Sequence, residues 1–387
     1  MKILFYQFFP GGGIGRYTHE LATALHQEPG VEVEVACSPD FHHRDSSSYP
    51  IWPRLFAVGH RISWVRRIRF LLAQWINPLC CLWRAKQSEV DVIHFSNINH
   101  LTYPFWRLWA CYGSFRIVAT AHDVRRAKAI LNRAWEEYWL AQFYRDADAL
   151  FVHSTLQRRD LMSFGRLGEQ TSHIVPMGDF AFPETGANVD SLKRKLKIPS
   201  NRTVGLCFGM VRDDKNVPEL IRALGLLKNR RPFLIVAGKM TESGPSSRES
   251  LQGLVERLGL GDDVLLLDSF IETEEVGEFY QLADFACLTY RTDFTSQSGV
   301  LNVAMHFACP VLATPAPTLA ETVAQYEIGT VCDDDTAEAI CLGMTKLIDA
   351  LDGEALFDFE AYRRAHSWKE NARLTVSVYR RILAEVS

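Results

Sequence analysis

The sequence predicts an α/β protein of two domains, each a parallel sheet wound with helices, and three observations carry that expectation. Its 387 residues exceed what one ordinary core holds. Short apolar runs alternate with stretches of helical periodicity in both halves, the pattern of strands joined by crossover helices. Three helix starts are each preceded by glycine, a residue that lets the backbone approach a ligand closely.

Ile3 to Phe9 reads as a buried strand that runs through the turn Gly11-Gly-Gly-Ile-Gly15 into a helix from about Arg16 to His26. The spacing does not fit G-x-G-x-x-G, because Arg16 stands where a third glycine is needed, so a nicotinamide cofactor is not indicated. Val31 to Cys37 supplies a second strand, and the adjacent His42 and His43 are read as solvent-exposed.

Residues 46–88 contain neither Asp nor Glu, while Arg54, Arg61, Arg66, Arg67, Arg69, Arg84 and Lys86 are interleaved with Trp52, Trp64, Trp75 and Trp83. A basic, tryptophan-bearing amphipathic segment over residues 52–86 is suited to a peripheral membrane contact. The alternative is a helix packed on the sheet with its arginine heads reaching water.

Val90 to Phe95 and Phe115 to Ala121 are two further strands, the second ending in His122-Asp123. Ligands of open α/β sheets gather beyond the carboxyl ends of strands, so this pair is placed for chemistry. Histidine can hold a sugar hydroxyl or move a proton near neutral pH, and aspartate can orient it or act as the base. Asn132 to Arg145 is helical and leads into the strand Ala149 to His153, while Asp146-Ala-Asp148 is read as a solvated turn rather than a metal site.

Domain boundaries follow at residues 1–180, a polar linker over 181–202 and a second domain over 203–367, with a final amphipathic helix over 368–387. The second domain repeats the alternation, with strands Val204 to Phe208, Pro232 to Gly238, Val264 to Leu267, Phe285 to Tyr290 and Pro310 to Ala313. Its first strand turns at Gly209 into a helix beginning near Asn216-Val-Pro218, and Arg212 and Lys215 stand just before that start. Free N–H groups, a positive dipole end and two cations suit a pyrophosphate. Ser298-Gly299-Val300 opens the third glycine-gated helix.

A net charge of -4 gives no reason to expect nucleic acid. The nine cysteines show no C-x-x-C spacing and read as buried free thiols of a reducing cytoplasm. No signal peptide and no apolar run of about 18 residues is seen.

The order of these motifs resembles the GT-B glycosyltransferases, specifically the family 4 group, over essentially the whole chain. The resemblance implies two Rossmann-like parallel-sheet domains facing a central cleft, the first binding an acceptor and the second a nucleotide sugar, with the last helix crossing back to the first. It places Gly13, Gly15 and Arg16 at the donor phosphates, His122 at the donor sugar, Arg212 and Lys215 beside Gly209 at the pyrophosphate, and Phe270 and Ile271 at the base. Met210 stands where arginine is commonest, and Arg212 takes its place as in an I-R-x-x-K-N branch. The family's glutamate pair, E-x7-E, aligns with Thr295 and Val303, so both carboxylates are missing. Ser298, Gly299 and Val300 then offer backbone N–H groups to the β-phosphate.

The retaining mechanism usual in the family is therefore not carried over, and an inverting displacement with Asp123 or His122 as base stays open. No metal and no cofactor are expected, since cations and helix ends can neutralise a leaving diphosphate. The implied activity is transfer of a hexose from a GDP- or UDP-sugar to a glycan or polyprenyl-linked acceptor. Exopolysaccharide or surface-glycan assembly at the inner face of the cytoplasmic membrane is the implied setting. The rivals are a catalytically silent sugar-nucleotide-binding partner subunit and a nucleotide-sugar isomerase of the same fold.

Overall fold

A computed structural model describes residues 1–385 except 97, 111–112, 126–128, 180–181, 184, 187 and 295–297. The chain divides into two compact units, Met1–Gly178 with His366–Ser387, and Asp179–Ala365.

In the first unit the elements run β1 (Lys2–Tyr6), α1 (Gly12–His26), β2 (Glu32–Ala36), β3 (Ile51–Trp52), α2 (Ser63–Gln87), β4 (Val92–Phe95), α3 (Tyr103–Ala110), β5 (Arg116–Thr120), α4 (Arg133–Asp146), β6 (Ala149–Val152), α5 (Thr155–Gly165) and β7 (Ser172–Ile174). The second unit holds α6 (Val189–Lys195), β8 (Val204–Phe208), α7 (Val217–Leu226), β9 (Phe233–Ala237), α8 (Arg248–Arg257), β10 (Val264–Leu267), α9 (Thr273–Leu282), β11 (Phe285–Leu288), α10 (Gly299–His306), β12 (Val311–Ala313), α11 (Pro317–Tyr326), β13 (Gly329–Val331), α12 (Ala337–Asp352) and α13 (Phe359–Ala365). The last helix, α14 (Trp368–Ala384), belongs to the first unit.

Both sheets are parallel, in the orders β3-β2-β1-β4-β5-β6-β7 and β10-β9-β8-β11-β12-β13. In each, the chain starts in the middle, winds outward to one edge and then returns to the other side. The crevice beyond the carboxyl ends at that reversal is where open α/β sheets bind ligands, and it lies at β1/β4 in one unit and β8/β11 in the other. Sheets covered on both faces need apolar residues at successive positions. Ile3 and Phe5 accordingly join one core layer while Leu4 and Tyr6 join the opposite one. Helix α14 adds Ala372, Val376 and Tyr379 to the layer holding Phe5.

Three expectations need correction. Helix α1 begins at Gly12 rather than near Arg16, so Gly13 and Gly15 lie in its first turn. Tertiary contacts outweigh glycine's helix penalty of about 1 kcal/mol here: Tyr17, Thr18 and Leu21 are buried, and Thr18 Oγ1 donates to Gln7 Oε1 at 2.6 Å. From Asn188 onward the stretch read as a linker is part of the second unit, because α6 buries Leu192, and Leu192 and Ile198 enter that unit's core. Finally, Asp146 and Asp148 are paired rather than solvated. Asp146 meets Arg107 at 2.5 Å, and Asp148 meets Arg116 at 2.6 Å while accepting from the Ile117 N–H at 2.7 Å.

Two short edge strands, β3 and β13, were not anticipated by the sequence reading. Among the described residues, no helix is long and apolar enough to cross a membrane.

Candidate functional site

In the first unit the glycine-rich turn leaves the start of α1 open. Gly11 is the cap residue and supplies no side-chain cap, and a Cβ on Gly12 or Gly13 would meet nothing within 4 Å. Gly15 is packed instead, near Gln7 and Phe41. Arg16, on the next position, lies 3.9 Å from Glu20.

One turn into α1, Tyr17 sets its ring edge-on to His122 with centroids 4.6 Å apart. His122 lies just past the end of β5 and His153 just past β6, and the two stand level because each is two residues beyond the paired Thr120 and Phe151. The two imidazoles meet there, His122 Nδ1 to His153 Nε2 at 3.0 Å, and His153 Nδ1 lies 2.9 Å from the Val175 carbonyl oxygen. Burial, with the neighbouring imidazoles, holds the His122 pKa well below the usual histidine value. Burial also lowers His153 to about 4. Asp123 is exposed beside this cluster.

Beyond β1 and β4 the same unit contains a cavity of about 120 Å³ walled by Phe8, Phe9 and Phe70, with Asn99, His100 and Glu136 as polar lining. His100 Nε2 lies 3.2 Å from Glu136 Oε2, and both residues are buried. Glu136 Oε1 also accepts from the Ile130 and Leu131 N–H groups at 2.7 and 2.5 Å. These bonds and the imidazole outweigh burial and lower the carboxyl pKa, so Glu136 is held as a carboxylate.

In the second unit the turn after β8 brings several residues foreseen from sequence to one point. Gly209 takes φ +84°, a conformation glycine favours, and a Cβ there would lie 3.2 Å from Lys215 Nζ and 3.5 Å from Val300 Cγ2. Lys215 is buried and donates to the Phe208 carbonyl oxygen; burial lowers the pKa of its ammonium. Ser298 caps α10, its Oγ accepting from the Leu301 N–H at 3.3 Å and lying 3.0 Å from the Tyr290 hydroxyl. Gly299 faces open space. A buried cation, a glycine turn and a helix start therefore share the β8/β11 crevice, an arrangement fit for a diphosphate.

Arg212 is exposed and paired with Asp214 at 2.8 Å, and after burial its charge is among the causes that lower the Lys215 pKa. Phe270 is 74% exposed in the loop after β10, on the same carboxyl edge, and Ile271 is half-buried against the core. Val303 is packed in the core of α10, while Thr295 lies outside the described residues. No cluster of three or more His, Cys, Asp or Glu able to hold a metal occurs among the described residues.

Sequence reasoning missed His153, Tyr17, the His100–Glu136 pair, Tyr290 and Gly238. A usable signal existed for His153 alone, since adjacent parallel strands ending in His122 and His153 bring equal offsets together.

Two parallel-sheet units, each with a glycine-gated helix at its topological switch point, define a protein of the GT-B class. The chain matches the family model "Glycosyl transferases group 1" over residues 188–375 and "Glycosyltransferase Family 4" over residues 11–178. It belongs to the family 4-like GT-B glycosyltransferases.

Among solved structures it is similar to a glycosyltransferase from Rickettsia africae, with 16% identity, a TM-score of 0.75 and coverage of 99% of this chain and 98% of that one. HepE of Anabaena, determined in complex with UDP-glucose, gives 15% identity, a TM-score of 0.64 and coverage of 100% and 99%. WaaG, described as a glycosyltransferase involved in lipopolysaccharide biosynthesis, gives 19%, 0.59, and 100% and 99%. A search of curated proteins found no significant match.

Proposed function

We propose that this glycosyltransferase moves a hexose from a UDP- or GDP-sugar to a glycan or polyprenyl-linked acceptor in surface-glycan or exopolysaccharide assembly. The observation that carries the donor half is Lys215, a buried cation between the Gly209 turn and the start of α10. A buried ammonium is costly unless an anion meets it, and a departing diphosphate is such an anion. The UDP-glucose complex of HepE and the lipopolysaccharide role of WaaG support the substrate class by analogy of fold.

In the step proposed, the acceptor oxygen bonds to the anomeric carbon as the bond from that carbon to the diphosphate breaks. The acceptor proton passes to Asp123 in the inverting form of the reaction. With its depressed pKa, His122 is a poor base and serves instead to hold a sugar hydroxyl.

The acceptor half rests on the first unit. The aromatic walls and buried carboxylate of its cavity suit the apolar face and hydroxyls of a sugar. Helix α2 turns Ala73, Asn77, Cys81 and Ala85 inward and leaves Trp64, Ile68, Leu72, Trp75, Leu79 and Trp83 exposed at helical spacing. Helix α3 extends that face with exposed Phe105, Leu108 and Trp109, and the Trp75 and Phe105 rings lie 4.2 Å apart. An apolar stripe flanked by bases in an acid-free segment fits an anionic bilayer surface, where a polyprenyl-linked acceptor resides.

The test is thermal stabilisation by UDP, GDP, ADP and their sugars. A ligand at 100 times its dissociation constant adds about 2.7 kcal/mol. One nucleotide is expected to raise the melting temperature of the wild type, and Lys215→Ala to lose about half of that stabilisation or more. No shift with any of them would overturn this reading, whereas a shift without any turnover would favour the silent sugar-nucleotide-binding partner.

A further inference from the structure

We propose that His153 is a positioning residue that fixes the tautomer of His122, so that Nε2 of His122 always presents a lone pair to a hydroxyl donor. The inference rests on the reading of His122 as a sugar-hydroxyl contact.

The argument is one of proton counting across three adjacent strand ends. The carbonyl oxygen of Val175, just past β7, has no proton to give, so the 2.9 Å contact requires a proton on His153 Nδ1. A neutral imidazole carries one proton, which leaves His153 Nε2 as an acceptor. The 3.0 Å contact from that atom to His122 Nδ1 then requires the proton of His122 to sit on Nδ1. His122 Nε2 is thereby left bare, and it is a buried atom with no hydrogen-bond partner among the described residues. A buried acceptor without a donor costs free energy unless a ligand supplies one.

The rings are also held in place. Tyr17 stands edge-on to both, at 4.6 Å from His122 and 5.6 Å from His153, and the Gln157 amide donates to the His122 carbonyl oxygen at 3.0 Å. Gln157 Oε1 in turn accepts from the His153 N–H at 2.8 Å, so one side chain ties the backbones of both histidines together. Both imidazoles are kept neutral by burial, as the relay requires. The alternative tautomer of His122 would put two lone pairs face to face at 3.0 Å. A ligand that offered only an acceptor atom would then be refused at Nε2, and a hydroxyl or amine accepted.

The experiment is nitrogen NMR of the full chain labelled in histidine, with the His122 signals identified by their loss in His122→Gln. In the wild type His122 is expected in the Nδ1–H form; the Nε2–H form would overturn the proposal outright. His153→Phe keeps the ring shape and removes the acceptor, and is expected to release His122 into a mixture of tautomers. His153→Gln restores an acceptor and should return it to one. An unchanged His122 spectrum in His153→Phe would also overturn the relay.

The second readout is UDP release from UDP-glucose, or GDP release from GDP-mannose if guanine nucleotide is the one that stabilises the protein. The Phe variant is expected to lose about tenfold in kcat/KM, recovered in the Gln variant. A tautomer change without any change in turnover would leave the relay standing and sink the donor-contact reading of His122, so the two failures are distinguishable.

Discussion

Gly238 presses against the backbone of Gly209: a Cβ built on Gly238 would lie 2.1 Å from the Gly209 carbonyl oxygen and 2.5 Å from its carbonyl carbon. Gly238 follows the last residue of β9 with φ +150°, and Gly209 follows the last residue of the neighbouring β8 with φ +84°. The turn that carries Lys215 is therefore seated on a second strand end that can only be glycine. Gly238→Ala is expected to destabilise the second unit by at least about 2 kcal/mol, from strain and overpacking together. Calorimetry should show that unit melting earlier, and the nucleotide response should weaken with it. An unchanged thermogram would mean that the turn rests on something else.

Lys215 trades stability for binding. Its ammonium is buried at the cost of a lowered pKa, and its bond to the Phe208 carbonyl is the compensation in the free protein. In Lys215→Met both the cost and the compensation disappear, so the melting temperature without ligand should hold. Donor affinity should fall at least tenfold, on the order of 1.4 kcal/mol. At a nucleotide concentration giving the wild type about 2.7 kcal/mol, the variant then gains no more than about 1.4 kcal/mol. Equal shifts in the two proteins would refute the assignment of the diphosphate to this residue.

The parallel sheets were legible because their strands are buried on both faces and so appear as short apolar runs closed by turn residues, as in Ile3 to Tyr6 or Leu234 to Ala237. The turn at Gly209 and Lys215 was legible for a related reason, since strand, glycine and helix cap lie within a few residues of one another. What could not be read was contact between distant segments. Gly238 looks like any strand terminus until β9 is known to lie beside β8, and the cavity at His100 and Glu136 joins a loop after β4 to a helix start after β5. The start of α1 was misplaced because three glycines argue locally against a helix, and only the buried Tyr17, Thr18 and Leu21 overrule them.

Acid should unfold the first unit sooner than its carboxylates alone would. His94 is buried, with Nδ1 2.5 Å from the Tyr379 hydroxyl and Nε2 2.8 Å from Thr120 Oγ1, and burial lowers its pKa from 6.5 to about 3. Between those values the unfolded chain takes a proton that the folded chain refuses. The associated stability is complete above pH 6.5 and is lost as pH falls toward 3, by roughly 1.4 kcal/mol per unit once below 6.5. By pH 5 that amounts to about 2 kcal/mol for His94, with His153 adding in the same direction. Melting temperatures measured from pH 7 to 5 should fall, and His94→Gln should flatten the slope. A profile flat over that range in the wild type would contradict it.

The membrane contact predicted from residues 52–86 has to be tested on the right bases. Arg84 is tied to Glu34 at 2.7 Å, and Arg69 donates to the Ala57 carbonyl oxygen at 2.9 Å with its guanidinium 5.0 Å above the Phe56 ring. These two hold α2 to the unit and are poor probes of a lipid surface. Arg54, Arg61, Arg66, Arg67 and Lys86 are exposed and remain for lipid. Each basic residue near an anionic bilayer contributes about 1 kcal/mol. Charge reversal of Arg61, Arg66 and Arg67 together should therefore lower sedimentation with phosphatidylglycerol vesicles by roughly a hundredfold in partition coefficient or more. Trp64→Ser with Trp109→Ser should weaken binding to the same vesicles while leaving its dependence on salt, because those rings contribute apolar area and not charge. Sedimentation indifferent to both sets of changes would assign the exposed stripe of α2 and α3 to something other than a bilayer.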